Sequence, residues 1–167
     1  EGLIEIIPYH KTTVRALTRR DIEELYSLRS ALESFAAEQI LQLDPGASAA
    51  RLTDIQNAMV DAANENRIDD VSKFDHAFHN MLITESQHNL LITTWSTISQ
   101  RVHQVLALRD MHRTDVHQMV RSHQPIIDAL ASEDEELLVQ LIHAHIATAS
   151  EFIVEVWDQK MDSTSTS

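Results

Sequence analysis

Residues 18–40 read TRRDIEELYSLRSALESFAAEQI, and this stretch decides the fold. Thr18 and Asp21 have the spacing of a capping box, in which each side chain takes up a free backbone N–H at a helix start. Ile22, Leu25, Leu28, Leu32, Phe35, Ala36 and Ile40 then recur at helical spacing and make one apolar face. The pattern predicts a helix that stops near Leu43, before Asp44-Pro45-Gly46.

The rest of the chain follows the same pattern. A second helix is expected over about 48–64, with Leu52, Ile55, Met59 and Val60 inward. A third begins near Asp69 and carries Phe74, Phe78, Met81 and Leu82. A fourth spans about 89–111, with Leu91, Trp95, Ile98, Val102 and Val105. A fifth starts at Thr114 or Asp115 and holds Pro125 well inside, where a proline removes a backbone donor and kinks the helix. A last helix opens on a second capping box, Ser132 and Glu135, and runs through Leu138, Leu141, Ile142, Ile146, Ile153 and Val156. Six such helices, or seven, with short connections make an all-α antiparallel bundle. Residues 18–160 are expected to form one domain, and residues 161–167 a disordered polar tail.

Composition agrees. The chain has 167 residues, of which two are glycine and three proline, and helix formers dominate. The net charge is −13, a balance that repels phosphate, so this chain alone is not expected to hold nucleic acid. Lys11, Arg15, Arg19 and Arg20 are the local exception. Without cysteine there are neither disulfides nor thiolate ligands, which fits a cytoplasmic protein. No uninterrupted apolar run reaches the roughly 18 residues of a membrane span, so no membrane partner is expected.

Ten histidines stand out. Residues 74–82 read FDHAFHNML, placing Asp75 and His79 one helical turn apart beside the apolar stripe. An aspartate near an interior needs compensation for its charge, and a divalent ion would supply it. A plain Asp–His hydrogen bond would fit the same spacing. His123 precedes Ile126, Ile127 and Leu130. His145 shares a face with Leu138, Leu141 and Phe152, whereas His143, about 200° away around the helix, points elsewhere. Asp75, His79, His123 and His145 make a plausible N3O set for Zn2+ or Ni2+, with Mn2+ also compatible. Each histidine alone would equally suit a satisfied core position. The remaining histidines, His76, His88, His103 and His117 among them, read as peripheral.

Taken together, LTRRDIEELYSLRSALESFAAEQI, FDHAFHNML, SQHNLL, SHQPIIDAL and ALASEDEELLVQLIHAHI resemble the C-terminal effector-binding (FCD) domain of GntR-family regulators of the FadR subfamily. The resemblance implies a helical bundle around a central ligand and metal cavity, with Asp75, His79, His123 and His145 as the ligands of a divalent ion. It further implies that Arg29, ahead of Leu32 and Glu33, faces the pocket and meets a small carboxylate effector, with Arg101 a second such residue. A surface salt bridge is the other reading of Arg29. On the same resemblance, residues 1–17 are the last strand of a winged-helix wing plus a linker, GLIEIIP being the strand. DNA would then be bound through a winged helix outside this sequence, by a homodimer.

Two rivals stand beside that reading. Three imidazoles and a carboxylate around an open metal position could activate water, as in a hydrolase or oxidase. No separate general base is evident, so the chain is read as no enzyme. The other rival is a metal-free dimerisation module.

Overall fold

The computed structural model describes residues 4–5, 13–14, 18–110 and 116–165, with side chains for 18–103, 105, 116–159 and 161. Among these residues a two-stranded antiparallel ribbon precedes seven helices. The strands are β1 (Ile4–Glu5) and β2 (Thr13–Val14), in the register Ile4 opposite Val14 and Glu5 opposite Thr13. The helices are α1 (Arg19–Leu41), α2 (Pro45–Asn64), α3 (Ile68–Glu85), α4 (Asn89–Asp110), α5 (Val116–Arg121), α6 (Gln124–Ala131) and α7 (Glu135–Ser165). The all-α bundle is as expected, and seven is the helix number among the described residues.

The first capping box forms. Thr18 Oγ1 accepts from Asp21 N at 3.1 Å, and Asp21 Oδ2 accepts from Thr18 N at 2.9 Å. The inward stripe of α1 differs from the predicted one. Ile22, Tyr26, Arg29, Glu33, Ala36, Ala37 and Ile40 are buried, whereas Leu28 is 43% and Phe35 38% exposed. The helix is rotated so that the Arg29–Glu33 ion pair, and not Leu28 and Phe35, lies on its buried side; the site below gives the reason.

α2 begins three residues earlier than expected, because Asp44 caps Ala47 N at 2.9 Å and Pro45 occupies the first turn, where its missing N–H costs nothing. With so few glycines, left-handed residues between helices are supplied by Asn66, Gln87 and Glu133. After α6, Asp134 N bonds Ala129 O and Glu133 N bonds Leu130 O, which closes α6 in a Schellman turn. Ser132 therefore belongs to the end of α6, where its hydroxyl donates to Ala129 O. Asp134, whose carboxylate accepts from Leu137 N at 3.1 Å, takes the capping position assigned to Ser132 from sequence.

α1 lies along α7 and touches α3 and α4; α2 packs on α3, α5 and α6. A single core runs through Ile22, Leu52, Met59, Phe78, Leu138 and Ile146, and a smaller cluster joins Ala36, Ile83, Leu91 and Trp95. α7 continues to Ser165, so helix covers most of the stretch read as a disordered tail. Over Glu135–Gln159 it is also long and apolar enough to cross a membrane by length and composition, with an 18-residue window of mean hydropathy 1.5. Scattered polar residues such as Gln140, His143 and His145 hid this from a search for uninterrupted apolar runs. In the bundle, Leu138, Ile142, Ile146 and Ile153 of this helix are buried in the core.

Candidate metal centre and effector cavity

The fifth predicted helix is broken, not merely kinked. Pro125 has no N–H for the carbonyl of Arg121, and its ring would crowd that carbonyl. The chain responds by ending α5 at Arg121 and starting α6 at Gln124, with Ser122 and His123 between them. In a continuous helix His123 N would bond Met119 O; here it turns to Val120 O at 3.4 Å. Met119 O is thereby available to side chains. It accepts from Ser122 Oγ at 2.6 Å and from His123 Nδ1 at 3.1 Å. Gln56 on α2 holds the same corner, donating to Val120 O at 2.8 Å.

These contacts fix the histidine tautomers. His123 Nδ1 faces only carbonyl oxygens, so it carries the hydrogen. Ser122 Oγ gives its hydrogen to Met119 O and therefore accepts from His145 Nδ1 at 3.0 Å. His79 Nδ1 donates to Glu33 Oε2 at 2.6 Å. In all three rings Nε2 is left as a lone pair. His79, His123 and His145 present ligand atoms that lie within 4.8 Å of one another, and the Nε2 atoms of His79 and His145 are 3.3 Å apart. Asp75 Oδ1 is 3.2 Å from His123 Nε2 and 4.0 Å from His79 Nε2. His123 Nε2 is buried without a hydrogen-bond partner despite that short distance. A lone pair on His123 Nε2 facing a carboxylate oxygen is a repulsive contact unless a cation stands between them.

Such an array of converging lone pairs suits a cation. Ligand atoms about 2.0–2.1 Å from a tetrahedral Zn2+ are roughly 3.4 Å from one another, close to the spacings seen. The N3O donor set suits a borderline divalent ion such as Zn2+ or Ni2+. The ligand atoms that lie within 4.8 Å of one another are those of the three histidines; Asp75 stands beside the group, nearest His123, and is not part of it.

Glu33 was missed from sequence and is central here. Its carboxylate bridges His79 and Arg29, accepting from Arg29 Nε at 2.6 Å through Oε1. Arg29 and Glu33 are each 1% exposed. Burial pushes the Glu33 carboxyl up, but His79 and Arg29 together outweigh it and hold it below its usual value. Arg29 is held above its ordinary range because Glu33, Tyr26 and Asp75 outweigh the cost of its burial. Burial lowers His79, helped by Arg29 and partly offset by Glu33. His145 is lowered well below the usual value by burial and by the neighbouring His123 and His79. For His79 and His145 the neutral imidazole that a metal requires is thus favoured. The Arg29–Glu33 spacing of four residues, set between Ile22, Tyr26, Ala37 and Ile40, was the available signal. It looks like a surface pair until the helix is rotated.

A cavity of about 450 Å3 opens beside these histidines. Arg29, Asp75, His79 and His145 form part of its wall. The surface-pair reading of Arg29 therefore falls, and the pocket-facing one agrees with the geometry. Arg101 is exposed on α4 and is not among the cavity-lining residues. It is one residue off the buried line of Trp95, Val102 and Val105, which turns it about 100° away. His143 also points away, with Nδ1 2.8 Å from Ser30 Oγ on α1. Of the peripheral histidines, His76 and His103 lie against each other, ring centroids 5.2 Å apart. His10 and His112, and the predicted start of the fifth helix at Thr114 or Asp115, lie outside the described residues.

Comparison with known proteins agrees with the fold. The FCD-domain family profile matches residues 24–148. The gluconate operon transcriptional repressor of Bacillus subtilis is 23% identical over 149 residues, covering 86% of this chain and 61% of that protein. The chain thus spans about three-fifths of that relative's length. Among solved structures, E. coli McbR/YncC aligns with TM-score 0.79 at 15% identity, over 95% of this chain and 78% of that one. The Zn2+-bound FCD domain of TM0439 aligns with TM-score 0.66 at 19% identity, over 84% of this chain and 96% of that one. The named relatives are transcriptional regulators and not enzymes. The chain belongs to the FCD family, the C-terminal domain of GntR-type transcriptional regulators of the FadR kind.

Proposed function

We propose that residues 18–160 are the effector-sensing part of a bacterial DNA-binding regulator, reading a small carboxylate beside a divalent ion held by Asp75, His79, His123 and His145. The observation that supports this is the convergence of the His79, His123 and His145 ligand atoms, with Asp75 beside His123, next to a cavity lined by Arg29, Asp75, His79 and His145. A bound ion supplies positive charge for a carboxylate oxygen, and Zn2+ or Ni2+ suits the donors best. Arg29 adds a planar guanidinium matched to a carboxylate. Ser122, Met119 O and Glu33 keep the imidazoles turned and unprotonated at Nε2.

The output path runs through α1. Arg29 and Glu33 both stand on it, and Glu33 ties it to His79 on α3. An acid that engages Arg29 pulls on the same carboxylate that orients His79, so cavity and metal centre are energetically linked. Residues 1–17 lead from α1 toward a DNA-binding head, and a cytoplasmic homodimer would match two operator half-sites. Effector binding shifts operator affinity only as far as the acid prefers one arrangement over the other. To test this, metal-loaded protein is titrated with mono- and dicarboxylates, hydroxy acids and sugar acids while its melting temperature is followed. At least one acid is expected to raise it, and Arg29→Ala is expected to remove that response. A flat response to every acid contradicts the reading.

A further inference from the structure

The cavity walls discriminate among acids. Its charged and imidazole side chains are Arg29, Asp75, His79 and His145, joined by the neutral polar Ser72, Gln118, Ser122 and Thr148. Its large apolar side chains are Ile68 and Val71 of α3, Val116 and Met119 of α5, and Leu141 and Phe152 of α7. Three different helices thus contribute apolar surface to the cavity wall.

Among the described lining residues, few groups could serve a ligand hydroxyl. Ser122 Oγ already donates to Met119 O and accepts from His145. Ser72 and Gln118 are each engaged with other protein groups. Thr148 is the remaining side-chain hydroxyl. A sugar acid has a hydroxyl on nearly every carbon, and each one stripped of water needs a replacement partner. A hydrocarbon body needs none and gains from leaving water. The volume, about 450 Å3, lies toward the small end of the roughly 300–1,000 Å3 typical of ligand sites.

We infer that the ligand of this cavity is a monocarboxylate with a compact aliphatic or aromatic body, its acid group at Arg29 and the histidines and its apolar body against Val71, Leu141 and Phe152. This rests on the acid-sensing reading above and narrows it. It also separates this chain from what the name of its gluconate-operon relative would lead one to expect.

The experiment uses the whole chain, tag removed and loaded with Zn2+, titrated calorimetrically with hexanoate, benzoate and gluconate. Hexanoate or benzoate is expected to bind at least about tenfold more tightly than gluconate, the scale on which an apolar pocket separates ligands. Phe152→Ala is expected to weaken the apolar acid by about tenfold. Leu141→Thr provides the same reading should Phe152→Ala fail to fold. Gluconate binding as tightly as or more tightly than the apolar acids overturns this inference and leaves the acid sensor standing. No binding by any of the three acids, with a panel of other carboxylates equally inert, overturns both. Apolar acids that bind equally well to the wall variants also overturn it, since the body then lies elsewhere.

Discussion

Glu33→Gln tests how the metal centre is held together. The carboxylate accepts from Arg29 Nε and from His79 Nδ1, both at 2.6 Å, with all three side chains buried. An amide has one acceptor oxygen, so one of the two N–H donors would face an NH2 group instead. The Arg29 charge would lose its counter-charge in the interior. Removing one partner of a buried ion pair costs about 3–5 kcal/mol, which includes the penalty on the charge left behind. His79 also loses the carboxylate that orients it, and such losses lower metal affinity by about 10–100-fold. Urea unfolding of the metal-free protein measures the first quantity, and competition with a chelator measures the second. The double variant Arg29→Met/Glu33→Leu separates them, because replacing the whole pair by apolar groups is close to neutral for stability. Stability should largely return while metal affinity stays low. A Glu33→Gln variant within about 1 kcal/mol of the parent, with metal affinity changed less than about twofold, would refute the reasoning.

Two further outcomes are expected. Pro125→Ala removes the obstacle to a continuous α5–α6 helix, which would return Met119 O to the backbone ladder; metal affinity should fall by about tenfold, read by chelator competition, with helical circular dichroism unchanged or increased. Metal-free stability should depend on pH through His79 and His145. Both have folded-state values below the usual 6.5, so the unfolded chain binds protons first as pH falls. Stability is therefore full above about pH 6.5 and declines below it, until the folded-state values are reached; urea midpoints between pH 8 and pH 5 that do not fall would contradict this.

The bundle was legible because capping and periodicity are local. Thr18 with Asp21, and the apolar spacing from Ile22 to Ile40, need no tertiary information. That His79, His123 and His145 converge, with Asp75 beside them, was legible because their spacing put them on inward faces. What escaped was set by tertiary context. Glu33 four residues after Arg29 has the same spacing as an exposed ion pair, and only the contact with His79 forces both inward. The role of Ser122 depends on a helix break whose consequences for Met119 O appear only in three dimensions. Ser132 resembled a cap because a Schellman turn at Glu133 and Asp134 cannot be told from a capping box by residue type alone. Arg101 was placed by resemblance, and it stands one residue off the buried line and outside the cavity-lining residues.

The most direct test of the account is X-ray absorption at the zinc edge on tag-free protein equilibrated with Zn2+ at pH 7.5. The account predicts about one ion per chain in a shell of three imidazole nitrogens and a carboxylate oxygen at about 2.0–2.2 Å, lost in the His123→Ala/His145→Ala variant. Substoichiometric zinc, or a shell without imidazole scattering, would contradict it.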